Sequence, residues 1–187
     1  MNETGSEYVS STERVYVGDA KTFLFIGALL GLIGEILALI PVINLVSIVL
    51  SPIATLLFII GLLKWQRVDR APLKYYVSNL ILTYSAIGII FVGIYYYEII
   101  GLIAGLAVAI PLVLIALYFE YKMMKAFYMT TKEGTFELTA NLIKWGVILL
   151  IVLIGTILLF VAEIVSVIAF SRIPEYVDVK KGNDSVS

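Results

Sequence analysis

Between Thr22 and Ser171 the sequence is a succession of almost uncharged apolar runs. Each is close to the length a helix needs to cross a bilayer, roughly 20 mostly apolar residues within a range of about 17–25. The first run, 22–40, ends at Pro41, and the second, 42–63, carries Pro52 inside it. After the polar stretch KWQRVDRAPLK the third run covers 75–96, and Glu98 marks a very short turn into the fourth, 99–119. Composition closes the water-soluble alternative. The 187 residues are 61% hydrophobic and only 14% charged, whereas soluble domains run about 45–50% apolar and about 25% charged. A domain of this size cannot hide so much apolar surface from water.

The segment 120–133 reads differently. Tyr121, Met124, Phe127 and Tyr128 recur at helical spacing with Lys122 and Lys125 on other faces, the pattern of an amphipathic helix at the membrane surface. Gly134 is a stop signal and Thr135 an N-cap candidate.

Residues from Phe136 onward divide in two ways. One long tilted helix gives five spans; two short helices, 136–154 and 156–171, turning near Gly155, give six. Lys and Arg near span ends collect on the cytoplasmic side, and six spans place every Lys and Arg on one side. The expectation is therefore an all-α polytopic transmembrane helix bundle in a cell membrane. It has six spans as three hairpins, five being the alternative. Both termini are cytoplasmic, with tails 1–20 and 174–187 poorly ordered. Modification of the sequons at Asn2 or Asn183 would contradict that orientation.

The glycine-spaced FIGALLGLIGEILALIP, the polar loop after the second run, and the blocks KAFYMTTKEGTFELTANLIKWGVILLIVLIG and VAEIVSVIAFSRI carry a resemblance. The chain resembles an uncharacterised, mainly archaeal integral-membrane family, the domain-of-unknown-function class numbered 996. The resemblance covers most of Lys21–Ile173. It implies a multi-span membrane protein and supplies no functional residues.

Cysteine and histidine are both absent. That removes thiolate chemistry, the usual ligands of zinc, haem and iron–sulfur clusters, and Ser-His or Cys-His catalysis. No enzyme, cofactor or metal site is expected. A net charge of −1 without a basic run argues against nucleic acid as a partner.

Two acids lie inside spans. An intramembrane carboxyl costs a few kcal/mol and is by default a functional candidate. Glu35 and Glu163 both fall roughly 7–11 Å below the outer boundary, so they can meet if the first and last helices are neighbours. Burial and each other's charge then favour holding at least one proton. They form a candidate ion or proton site with Tyr84. The structural alternative is a protonated acid bonded to Tyr84, Thr83, Ser85 or a carbonyl.

Small residues supply packing candidates: Gly27 and Gly31 leading to Glu35, Ser47, Ser51 and Thr55 on the second span, and Gly101 and Gly105 on the fourth. In lipid such stripes let backbones approach closely, and packing within the chain is expected over a homo-oligomer seam. Trp65, Tyr75, Tyr76 and Tyr95–Tyr97 read as interfacial anchors. Glu137, Asn141 and Lys144 share one face near the inner surface.

Two function classes follow. The first, preferred because no polar pathway crosses the whole membrane, is a non-catalytic membrane component or accessory subunit. Its partners would be the lipid bilayer and a membrane protein or a second copy. The second is a small proton- or cation-coupled transporter or channel using Glu35 and Glu163.

Overall fold

A computed structural model describes residues 12–40, 44–150 and 154–180. It contains β1 (Thr12–Tyr16), α1 (Gly18–Ala38), α2 (Asn44–Trp65), α3 (Ala71–Thr131), α4 (Gly134–Ile148), α5 (Ile154–Ser171) and β2 (Tyr176–Lys180). Helices α1, α2, α3 and α5 are long and apolar enough to cross a membrane. Their apolar side chains are exposed over much of the surface, which is the build of a membrane-embedded helical protein. Helix α4, at 15 residues, is shorter than a typical span.

The ends of α1 follow from its residues. Asp19 sits in the first turn, where a negative charge meets the positive end of the helix dipole. Thr22 Oγ1 donates to the Gly18 carbonyl at 3.0 Å. The helix finishes just short of Pro41, whose ring disfavours helix in the residue before it. Pro52 and Pro111, by contrast, stay inside continuous helices.

Helix α3 doubles back on itself. At Glu98 the backbone takes φ 49 and ψ −123, a conformation that side chains with a Cβ rarely adopt. The arms 71–97 and 99–131 return against each other. A Cβ on Gly93 or on Gly101 would run into the backbone of the other residue. Farther along the hairpin, Asn79 Nδ2 donates to the Ala116 carbonyl at 2.9 Å. The α4–α5 hairpin repeats the device, since a Cβ on Gly155 would meet the Gly146 carbonyl. Gly155 therefore serves contact between helices and lies inside α5, not at the expected turn. The expected turn near Pro41 and residues 151–153 lie outside the described residues.

Three expectations are corrected. Residues 120–131 do not form a separate surface helix. They continue the second arm of α3 and bury Met123, Met124 and Phe127, because α4 packs on that arm and Phe170 of α5 meets Phe127. Second, Thr135 is not the N-cap. Lys132 ends α3 in the left-handed conformation, extended Glu133 is the N-cap of α4, and Thr135 Oγ1 donates to Glu133 Oε1 at 3.0 Å.

The third correction concerns the tails, which are ordered where they meet. β1 and β2 pair antiparallel, with Val15 opposite Val177, and Val17 N–H donates to the Glu175 carbonyl at 2.8 Å. Val17, Ile173 and Val177 bury themselves against the helices, which supplies the apolar burial that a solvated tail lacks. The start of α1 and the end of α5 thus lie at one end of the bundle, called the inner end below. Residues 1–11 and 181–187 are outside the description.

The core sits at that inner end. Trp65, Phe127, Phe136 and Phe170 are fully buried. Phe127 contacts Trp65, Phe136 and Phe170 at ring-centroid distances of 5.1, 5.2 and 5.2 Å. Each such pair contributes about 0.5–1.5 kcal/mol beyond its buried area. Trp65 is therefore a core residue and not an interfacial anchor. Tyr95, at 82% exposure, stands with Tyr96 and Tyr97 at the far tip of α3.

Candidate functional site

Above the aromatic core lies a cavity of about 280 Å³ bounded by α1, α2, both arms of α3, and α5. Three carboxyl groups line it: Glu35 from α1, Glu120 from the second arm of α3, and Glu163 from α5. Among the described residues no Lys or Arg lines it.

Glu35 and Glu163 come together because α1 packs against α5. The Glu163 and Glu35 side chains both line the cavity, close enough for the two acids to act on each other. Two carboxyl groups brought together can hydrogen-bond only by sharing a proton, since an ionised carboxylate is an acceptor alone. Ser166, one turn below, donates to the Glu163 carbonyl at 2.7 Å, so its hydroxyl is taken up by the helix backbone.

Glu120 was not a sequence candidate. It stands at the junction of an apolar run and a polar segment, where an acid ordinarily reaches water. Its spacing carried the missing signal: Glu120, Met123, Met124 and Phe127 fall at i, i+3, i+4 and i+7, a single helical face. The side chains at the last three of these positions are buried, so the first points inward too. Glu120 is partly buried and lines the cavity, and Glu35 is the acid on α1 that acts on it.

Tyr84 does not join the acids. It is 59% exposed and lies outside the cavity. From the first arm of α3 the cavity is lined by Tyr76, Asn79 and Leu80. Tyr76, with its hydroxyl beside Thr55, is the tyrosine at the site. Its ring packs on Phe58 at 4.7 Å.

The small residues divide by role. Gly27 is in tight contact, since a Cβ there would sit 2.7 Å from the Phe58 backbone nitrogen. Gly31, one turn on, has nothing within 4 Å of the same position: it leaves space and lines the cavity. On α2, Ser51 and Thr55 line the cavity. Ser47 Oγ is taken up within its own helix, donating to the Asn44 carbonyl at 2.6 Å and lying 2.8 Å from Asn44 Oδ1. Gly101 faces Gly93, and Gly105 lies 3.3 Å from the Ile89 carbonyl by the same measure, so both serve the α3 hairpin.

Asn79 is partly committed to the Ala116 carbonyl. Glu137 pairs with Lys125 at 3.5 Å, which joins α4 to α3 away from the cavity. Among the described residues no group of three acids is drawn close enough to hold a metal ion.

The chemistry available is therefore acid–base and electrostatic. Two carboxyl groups can share a proton, and a third is held near them without a counter-charge. Phe58 and Phe170, 5.2 Å apart, line the side toward the aromatic core, whereas Glu35 is exposed at the other.

Neither the curated proteins nor the solved structures include a match to this chain. A family model described as protein of unknown function (DUF996) matches residues 30–164, a stretch that includes all three acids. Matched over well more than half its length, the chain belongs to that family.

Proposed function

We propose that the protein is a six-span membrane protein with both ends cytoplasmic that moves a proton or another cation through the acid-lined cavity. Six spans follow if α3 counts as two and α4 crosses together with α5 as a short hairpin. The cytoplasmic assignment rests on the excess of Lys and Arg at the inner end. The observation that carries the functional reading is the convergence of Glu35, Glu120 and Glu163, from three different helices, on one cavity without a cation. Acids inside a bilayer are costly and ordinarily serve a pathway or a relay. In this conformation the aromatic layer of Phe58, Phe170 and Phe127 closes the inner side. Transport then requires that layer to part while the outer side closes, as in alternating access.

Proteoliposomes carrying a pH gradient and an internal pH-sensitive dye test the reading. The expected result is proton flux that depends on the protein and is abolished by Glu163→Gln and by Glu35→Gln. Wild-type vesicles no leakier than empty ones would return the protein to the other class, a non-catalytic component or accessory subunit.

A further inference from the structure

We infer that the cavity takes a lipophilic organic cation, a small aromatic or quaternary amine, as the ligand that exchanges with its protons. The inference rests on the cavity being a cation site, and goes beyond it in naming the chemical class. Size is the first reason. A water molecule's share of liquid volume is about 30 Å³, and the cavity measures about 280 Å³. A proton or a bare inorganic ion needs far less room.

Donor chemistry is the second reason. Hard cations such as calcium take about 6–8 oxygen ligands in a closed shell. The acids here are not gathered into a metal-holding group among the described residues, and they share the wall with Leu32, Phe58 and Phe170.

The nature of that wall is the third reason. The rings of Phe58, Tyr76 and Phe170 line the cavity, held against one another at 4.7 and 5.2 Å. Aromatic faces attract cations, and more strongly where water is excluded. Met123 and Met124 add polarisable, adaptable thioethers. An apolar wall with a few convergent polar groups is the general form of a small-molecule pocket. Glu120 gives this one its sign. It is partly buried, lines the cavity, has no hydrogen-bond or ion-pair partner among the described residues, and faces the acids Glu35 and Glu163. Gly31 leaves the opposite wall free, so room and charge are supplied by different residues and can be removed separately.

The test uses the full chain in lipid nanodiscs, with benzyltrimethylammonium as the probe. Neopentylbenzene, its neutral isostere, and sodium chloride serve as comparators. The carboxyl infrared band, followed against pH, reports independently whether the acids exchange protons. Saturable binding of the cation is expected, with release of protons and little binding of the isostere. Glu120→Gln should weaken binding roughly thirtyfold or more, the usual scale for losing one partner of a buried charge pair. Gly31→Leu should weaken it comparably while leaving the carboxyl titration unchanged, because it fills the space and keeps every acid.

Absence of saturable binding alongside a normal carboxyl titration overturns this inference and leaves the proton-pathway reading standing. Binding of equal strength to both variants, or of the isostere as tightly as the cation, also overturns it. A carboxyl band that does not respond to pH, together with no binding, removes both readings.

Discussion

The two ends of the bundle are built on opposite plans. At the inner end, large aromatic side chains from α2, α3, α4 and α5 interlock in full burial, and a two-stranded ribbon ties the chain's ends over them. At the outer end the buried positions are mostly alanine, glycine and serine, such as Ala86, Gly101, Ala109 and Ser47. There the large side chains of α3 face outward, Phe91 at 69% and Tyr95 at 82% exposure. In lipid there is little hydrophobic drive between helices, so close backbone contact at small residues substitutes for a core. The inner end resembles a soluble domain because β1, β2 and the loops beside it are polar enough to meet water. The cavity lies where the plans change, with aromatic packing below it and loosely joined hairpins above.

That contrast can be broken by substitution. Removing the Phe127 ring by Phe127→Ala should cost about 3–5 kcal/mol, the usual loss for a fully buried aromatic. Phe91→Ala, on the outer half, should stay within about 0.5 kcal/mol. Equilibrium unfolding in mixed micelles measures both, and equal losses would abolish the distinction. Next in size, Gly101→Val places a side chain against the Gly93 backbone and should cost about 1–3 kcal/mol by overpacking. Gly31→Val, with open space around it, should cost much less. Smaller still, Glu98→Gly should stabilise the protein by roughly 1 kcal/mol, because glycine adopts a positive φ without the steric penalty. Asn79→Leu, which removes the donor to the Ala116 carbonyl, should cost about 0.6 kcal/mol, the average of interhelical hydrogen bonds in membranes. It sharpens how weakly the α3 arms are held by polar contacts.

The apolar runs were legible because a bilayer imposes one period and one length on them. The reversal at Glu98 was legible as well, since a lone acid between two such runs has nowhere else to go. Glu35 and Glu163 stood out because a charge in an apolar run is conspicuous by itself. Glu120 was hidden by its neighbours: Lys122 and Lys125 made its segment look wet, although the stripe through Met123, Met124 and Phe127 marked a buried face. Tyr84 is not legible as an outward-facing residue in the sequence, because the face a helix turns toward its neighbours is set by packing. The ribbon was missed because five-residue strands carry little signal alone; TERVY and YVDVK are strands through each other. Trp65 shows the same limit, since a tryptophan at a span end suits an interface or a core until its neighbours are known.

Everything proposed for the cavity depends on α1 and α5 bringing their acids together. The chain has no cysteine, so a cysteine pair can be introduced without background. Glu35→Cys combined with Glu163→Cys, treated in native membranes with a short bifunctional methanethiosulfonate reagent, measures that proximity directly. The expected result is efficient intramolecular cross-linking of this pair and none for Tyr84→Cys combined with Glu163→Cys. Cross-linking of the Tyr84 pair, with none between positions 35 and 163, would contradict the site.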